Sequence, residues 1–301
     1  ATFTIIDTIS PVWVRQPSNL VIECDGSVDP YERIAAWLAS AGGGHAQDQC
    51  SFVGYTNDFV EIIGSCGLTG SALVTFTATD SCGNTQTAQA TVTVVDRTAP
   101  VINTPARDTI VECDGLGNVA ELGSWLSNNG GAIASDVCSG IESWEFRRID
   151  TLDNCGLTKV LRYGFIAIDS CGNRSLETVA SFIVQDTTRP VITMLPQDSI
   201  VQCDGAGNIA QFTGWLNSQG GAAGTDACSN NVRWENDLVD TQILCGNIGS
   251  RTFRFTVFDE CGNSSSAEAT FTIVDTLSPI ITVEAVPFRA ECNGASNSAD
   301  I

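Results

Sequence analysis

The feature that most constrains this chain is a passage that returns. Thr75 to Thr79 alternates in period two, Asp80-Ser-Cys-Gly-Asn84 supplies turn residues, and Ala90 to Val95 alternates again before Asp96 and Pro100 end the strand. The passage reads FIAIDSCGN then ASFIVQDTTRP from Phe165 to Pro190, and FTVFDECGN then ATFTIVDTLSP from Phe255 to Pro279. The chain also opens on its second half, ATFTIIDTISP, from Ala1 to Pro11. A cysteine before Asp-Gly or Asn-Gly falls at Cys24, Cys113, Cys203 and Cys292, in steps of 89, 90 and 89 residues. A period of that size is one domain-sized unit. The expected organisation is 1–10, the last strand of a preceding repeat; 11–99, 100–189 and 190–278, three repeats; and 279–301, the start of a following repeat. On this reading the 301 residues are a window on a longer array, and Cys292 is unpaired within it.

A repeat of about 90 residues buries only roughly 60–65% of its unfolded surface, so cross-links are expected to help it. Four cysteines recur per repeat: Cys24, Cys50, Cys66 and Cys82; Cys113, Cys138, Cys155 and Cys171; Cys203, Cys228, Cys245 and Cys261. An even set at near-constant spacing reads as a disulfide framework made in an oxidising compartment, hence an extracellular protein. No pair has the C-x-x-C spacing of a zinc turn. Asp and Glu number 35 against 14 Lys and Arg, a net charge of −21, which argues against nucleic acid or an anionic membrane surface as partner. No apolar run approaches the ~18 residues of a membrane span.

Within the second repeat, Val101 to Thr104 and Asp108 to Cys113 read as short strands. Asn118 is the expected N-cap of a helix from Val119 to Asn128 in which Leu122, Trp125 and Leu126 share one face, and Gly130-Gly131 stops it. Ile34, Trp37 and Leu38, and Phe212, Trp215 and Leu216, are the equivalents. A Trp beside Leu on an amphipathic helix is expected to plug a core rather than to form a sugar platform. An Asp-x-Cys turn follows (Asp48 to Cys50, Asp136 to Cys138, Asp226 to Cys228). Then comes a strand with Tyr55, Trp144 or Trp234, a Cys-Gly loop and the long hairpin. The predicted fold is mainly β: tandem immunoglobulin-like antiparallel β-sandwiches, each with one short inserted α-helix.

The hairpin and linker text, Asp80-Ser-Cys-Gly-Asn84, Asp169-Ser-Cys-Gly-Asn173 and Asp259-Glu-Cys-Gly-Asn263 with VVDRTAP, VQDTTRP and IVDTLSP, resembles the HYR-like (hyalin repeat) modules of giant secreted bacterial, Bacteroidota-type, surface adhesins and filaments. The resemblance covers the whole chain and implies an immunoglobulin-like sandwich in an extracellular, cell-surface array without catalytic residues. The Trp-Leu helix and the four-cysteine set depart from it. In such a sandwich the loop after the second strand and the final hairpin turn lie at one end, which implies Cys50–Cys82, Cys138–Cys171 and Cys228–Cys261. The remaining pairs are then Cys24–Cys66, Cys113–Cys155 and Cys203–Cys245, although four cysteines allow three connectivities.

Catalysis finds little to use. His45 lies in a Gly-rich loop without counterparts in the other repeats, and no phosphate loop or H-E-x-x-H is present. Surface proteins of the resembled class carry O-glycans on Asp-Ser/Thr followed by a small or apolar residue, which points to Thr8, Thr109, Thr151, Thr187, Ser199 and Thr276; ordinary turn text is the plainer reading. At each junction a linker aspartate is expected to meet the Asp-x-Cys turn and the hairpin turn: Asp7 with Asp48, Asp80 and Asn84; Asp96 with Asp136, Asp169 and Asn173; Asp186 with Asp226, Asp259 and Asn263. Hard oxygen ligands of that number suit calcium, whereas the plainer role is to accept backbone N–H bonds in tight turns. The functional expectation is a structural segment of a long surface filament or adhesin stalk, joined to further repeats of its own chain or to copies of itself. Its rivals are a glycan- or host-binding adhesin module, which needs exposed Trp rings or acidic loops, and an accessory domain of a secreted enzyme.

Overall fold

The structure, a computed structural model, describes residues 1–244 and 248–289. Cys245 and Cys292 therefore lie outside the described residues. The chain divides into two compact units, 1–187 with 227–230, and 188–226 with 231–301. This division does not follow the sequence period. The short turn 227–230 belongs to the first unit because Cys228 is bonded to Cys113 and its carbonyl accepts from Leu157 N–H at 2.8 Å.

One arrangement of strands recurs three times. In the first unit, Val12–Arg15 pairs antiparallel with His45–Gln47, and a four-strand path runs Leu20–Glu23, Thr85–Val95, Gly70–Asp80, Val53–Asn57, with Ile63–Gly64 also on Gly70–Asp80. The same unit repeats it with Val101–Thr104 on Ile133–Ser135, and Thr109–Glu112, Thr178–Gln185, Lys159–Asp169 and Ile141–Asp153. The second unit has Val191–Met194 on Ala223–Thr225, and Ser199–Gln202, Ser264–Val274, Gly249–Phe258 and Arg233–Ile243. The fold is thus a tandem of immunoglobulin-like β-sandwiches with one short helix each. One pairing in each is parallel rather than antiparallel: Leu20–Glu23 runs alongside Thr85–Val95, with Glu23 opposite Val95.

The small two-stranded sheet and the helix together make the second layer over the four-strand sheet. Period-two alternation puts Val74, Phe76 and Ala78 inward from one strand and Ala90, Val92 and Val94 from its neighbour, all buried. The helix Pro30–Ala39 closes the face with Ile34 and Trp37. Trp37 stands edge-on to Phe76 at 5.1 Å and donates Nε1–H to Ser18 O at 2.9 Å. Trp125 repeats this with Phe165 at 5.3 Å and Arg107 O, and Trp215 with Phe255 at 5.3 Å and Gln197 O. The tryptophans are core plugs, as their spacing beside leucine predicts.

Some local expectations need correction. Asn118 does precede the helix Val119–Ser127, but it is left-handed and its side chain makes no cap bond. Its amide instead donates to Glu112 O and accepts from Asp114 N–H, tying the helix start to the preceding strand. His45 begins a strand instead of lying in a loop. Ala1 to Asp7 reads as a strand but forms none, because no neighbour offers it a ladder.

Candidate functional site: the junction between successive repeats

Parallel pairing decides where the cysteines lie. Cys24 follows the strand Leu20–Glu23, and its N–H bonds to Val95 O at 2.9 Å, so it stands where Thr85–Val95 leaves for the linker. Cys66 follows Ile63–Gly64, which pairs with Ser71 and Gly70, and Gly70 lies opposite Val94. Both cysteines therefore face the next repeat. The hairpin turn with Cys82 is at the other end of the same strands, where Thr79 pairs with Thr85, and Ser81 N–H donates to Ser51 Oγ at 3.2 Å beside Cys50. Cys50 and Cys82 therefore face the preceding linker.

The disulfides accordingly step from one repeat to the next. Cys24 is bonded to Cys138, Cys66 to Cys171 and Cys113 to Cys228, across 114, 105 and 115 residues. Cys155 and Cys261, which occupy the positions of Cys66 and Cys171, are also disulfide-bonded. This overturns the expected pairs Cys24–Cys66, Cys138–Cys171, Cys113–Cys155 and Cys228–Cys261. It overturns Cys50–Cys82 too, since both are free thiols. Cys203 is also free, and its expected mate Cys245 lies outside the described residues. The placement of two cysteines at each end was right, but each pair lies side by side and bonds forward or backward. A four-cysteine period fits bonds that step one period as well as bonds that stay inside one. In the chain-entropy model a loop of this length is worth about 5 kcal/mol.

Around these bonds the backbones are tight. Leu68 N–H donates to Cys138 O at 3.0 Å. Gly67 sits at φ +55°, where a Cβ would come within 2.4 Å of the same carbonyl, so both the conformation and the approach require glycine.

The acidic residues gather at the same place. Asp136 Oδ1 accepts from Cys138 N–H (2.9 Å) and Ser139 N–H (3.0 Å). Asp169, buried, accepts from Cys171 N–H and Asn173 N–H through Oδ1 and from Asn173 Nδ2 through Oδ2. Asn173 also donates to Asp96 O at 3.3 Å, and Ser139 Oγ reaches Asp96 Oδ2 at 3.1 Å. Carboxylate oxygens of Asp96 lie within 4.8 Å of those of Asp136 on one side and Asp169 on the other. Burial, with the neighbouring Asp136 and Asp169 charges adding to it, pushes the Asp96 carboxyl above the usual carboxylate range.

Asp7, Asp48, Asp80 and Asn84 repeat this geometry. Asn84 Nδ2 donates to Asp7 O (3.2 Å) and Asp80 Oδ2 (2.7 Å), and Asp48 holds Cys50 N–H and Ser51 N–H. Asp7 Oδ2 is buried with no hydrogen-bond partner. Burial opposes ionisation of Asp80, yet hydrogen bonds from Asn84, Cys82 and Gly83 hold its carboxyl below the usual range. In the second unit Asp259 takes the same bonds from Cys261 N–H, Asn263 N–H and Asn263 Nδ2. Asp186 belongs to the first unit, and Asp226 to the second. The turn-capping role is thus realised by Asp48, Asp80, Asp136, Asp169 and Asp259.

Of the candidate modification positions, Thr8, Thr151, Thr187 and Thr276 are exposed, while Thr109 and Ser199 are half-buried at the starts of strands. Trp37 and Trp125 are buried and Trp215 half-buried, so the helix offers no flat ring to a sugar. Among the described residues no helix is long and apolar enough to cross a membrane.

No protein-family model matches the chain, and no curated protein does. Solved structures to which it is similar include a protocadherin fragment, PcdhgB3 EC1-4, at 11% identity and TM-score 0.30 over 90% of this chain and 77% of that one. Drosophila N-cadherin EC1-3 aligns at 8% identity and TM-score 0.30 over 87% and 99%. The human desmocollin-1 ectodomain aligns at 10% and 0.25 over 88% and 61%.

Proposed function

We propose that the protein is a structural, non-catalytic segment of a long extracellular surface filament or adhesin stalk of the HYR-like kind, built of repeats 11–99, 100–189 and 190–278. The observation that carries this reading is the forward-stepping disulfide, Cys24–Cys138 followed by Cys113–Cys228. Tension entering at Cys24 crosses to Cys138, runs back over about 25 residues to Cys113 and crosses again to Cys228. Most of each repeat is thereby bypassed by covalent bonds, which is what a load-bearing array needs. Bonds of this kind also suit an oxidising compartment outside the cell.

Single-molecule pulling tests it. With disulfides intact, extension per repeat is limited to roughly 25 residues at about 3.5 Å each, near 90 Å; after reduction each repeat releases roughly 90 residues, near 300 Å. Equal extensions before and after reduction would exclude a load-bearing role.

Calcium is the cation proposed for Asp7, Asp48, Asp80 and Asn84, and for Asp96, Asp136, Asp169 and Asn173. Support comes from the unpartnered Asp7 Oδ2 and the raised Asp96 carboxyl, both of which a hard cation would satisfy. A melting temperature unchanged between calcium and chelator would exclude it. O-glycans are proposed on the six Asp-Ser/Thr positions, and an intact mass without sugar increments on native protein would exclude them.

A further inference from the structure

We propose that the free edge of the second repeat, Trp144 to Arg148, pairs antiparallel with the same residues of a second copy of this chain, joining copies side by side about a two-fold axis at Phe146. The pairing needs only repeat 100–189, so it stands whether or not the chain bears load.

The strand Ile141–Asp153 is the last of its sheet. It pairs with Lys159–Asp169 on one side and, among the described residues, with no strand on the other. Such an edge offers a row of backbone N–H and C=O groups to a further strand. The register shifts between Ile141 and Ser143 and again between Arg148 and Asp150, which leaves one regular stretch, Ser143 to Arg148, between two irregularities. A pairing there is bounded at both ends and does not run on along the edge.

That stretch is self-complementary. Residues directly opposed in an antiparallel pair share a face of the sheet and interact as pairs. With the axis at Phe146, Glu145 stands opposite Arg147 of the second copy, and Arg147 opposite its Glu145. On the other face Phe146 meets Phe146, and Trp144 meets Arg148, a favourable match of indole and guanidinium. Sliding the axis by one residue sets Glu145 against Glu145 or Arg147 against Arg147. Charge therefore selects the register, and the two four-strand sheets join in an isologous contact that closes on itself.

The other repeats lack this complementarity. Phe146 lies opposite Phe165 as Asn57 lies opposite Phe76 and Asn236 opposite Phe255. Glu235-Asn236-Asp237 thus stands where Glu145-Phe146-Arg147 does, and pairing it with itself would oppose Glu235 to Asp237. In the first repeat the strand ends at Asn57. Phe146 is 51% exposed although its ring lies 6.2 Å from Tyr163 and 6.4 Å from Phe165, on the core side. A second Phe146 would cover it.

The ion pairs already present favour the contact. Glu145 accepts from Arg174 Nη1 at 3.0 Å and Nη2 at 2.6 Å, and Arg147 donates to Glu177 through Nε at 2.8 Å and Nη2 at 2.9 Å. A carboxylate keeps lone pairs, and a guanidinium keeps N–H groups, for a second partner. The row Arg174, Glu145, then Arg147 and Glu177 of the second copy alternates in sign along its length.

The test is sedimentation of the intact oxidised chain over a concentration series. A reversible monomer–dimer equilibrium that weakens as salt rises is expected. Glu145→Arg and Arg147→Glu each oppose like charges and should each weaken dimerisation by roughly tenfold or more. An equimolar mixture of these two variants regains opposite charges at both pairs and should dimerise again, which unfolded chains would not do. Phe146→Asn, which installs the residue of the other repeats, should also weaken the dimer with the melting temperature of the monomer kept. A chain monomeric at every concentration, a dimer untouched by the single variants, or variants that fail to recover on mixing would overturn the proposal and leave the stepping disulfides as they are.

Discussion

Cys24 and Cys138 lie in successive repeats of the sequence, 114 residues apart, yet they are bonded to one another with their Cα atoms 5.8 Å apart. The bond exists because a parallel strand carries Cys24 to the end where its own repeat finishes, and an Asp-capped turn holds Cys138 at the end where the next begins. A linker and two disulfides therefore bind the same pair of repeats, and the linker is no longer the only covalent connection.

Cutting that linker should change little until the disulfides are reduced. Cleavage after Arg97, between Asp96 and Pro100, is expected to leave both fragments in one band on a non-reducing gel and to separate them when a reductant is added. Separation without reductant would contradict the stepping bonds.

The helix tryptophan should dominate the stability of each core. Trp125→Ala removes edge contacts to Tyr163 and Phe165, a tilted contact to Phe182, and the bond to Arg107 O. A loss of about 3–5 kcal/mol is expected, read as a lower midpoint in denaturant titration under reducing conditions. A change below about 1 kcal/mol would show that the ring is not part of the core.

Much of this fold is legible in the text because the relevant signals are local. Alternation from Thr75 to Thr79, the Asp80 to Asn84 turn and the Trp-Leu spacing each specify their own element, and the repeat confirms them three times. The disulfide partners are not local. Cys24 and Cys66 share an end, as do Cys50 and Cys82, and shared ends suggest partnership until the linker geometry turns each pair toward another repeat. Asp96 lies near Asp136 on one side and Asp169 on the other, and Asn173 donates to its carbonyl, a meeting that the order of linker and turns in the text suggests. The helix does start at Val119 after Asn118, but the Asn118 side chain bonds backward to Glu112 and Asp114 instead of capping, a contact set by tertiary closure and not by cap chemistry.

Two glycines should respond in opposite ways. Gly67→Ala forces a Cβ toward Cys138 O at positive φ and should lower the melting temperature of the oxidised protein by several degrees. Gly123→Ala, exposed inside the helix Val119–Ser127 with nothing within 4 Å, should raise stability by roughly 0.5–1 kcal/mol. Calorimetry of the two variants checks both signs.

The pH dependence should have two limbs. Asp80, Asp114 and Asp204 have lowered folded pKa values, so their stabilisation is present above the usual carboxylate value near ~4 and is lost as pH falls below it. Asp96 has a raised folded pKa, so its ionisation opposes the folded junction, and stability is lost as pH rises from about 4 through that raised value. Asp96→Asn should remove this second limb and also the response to calcium. Melting temperature from pH 3 to 8, with and without calcium, separates the two; an unchanged profile in the variant would contradict the assignment.

The most direct test of the stepping architecture is disulfide mapping of the oxidised protein, digested without reduction and with free thiols blocked. The result expected is Cys24–Cys138, Cys66–Cys171 and Cys113–Cys228 as linked peptides. Linked peptides confined to single repeats, such as Cys24–Cys66 and Cys138–Cys171, would contradict it.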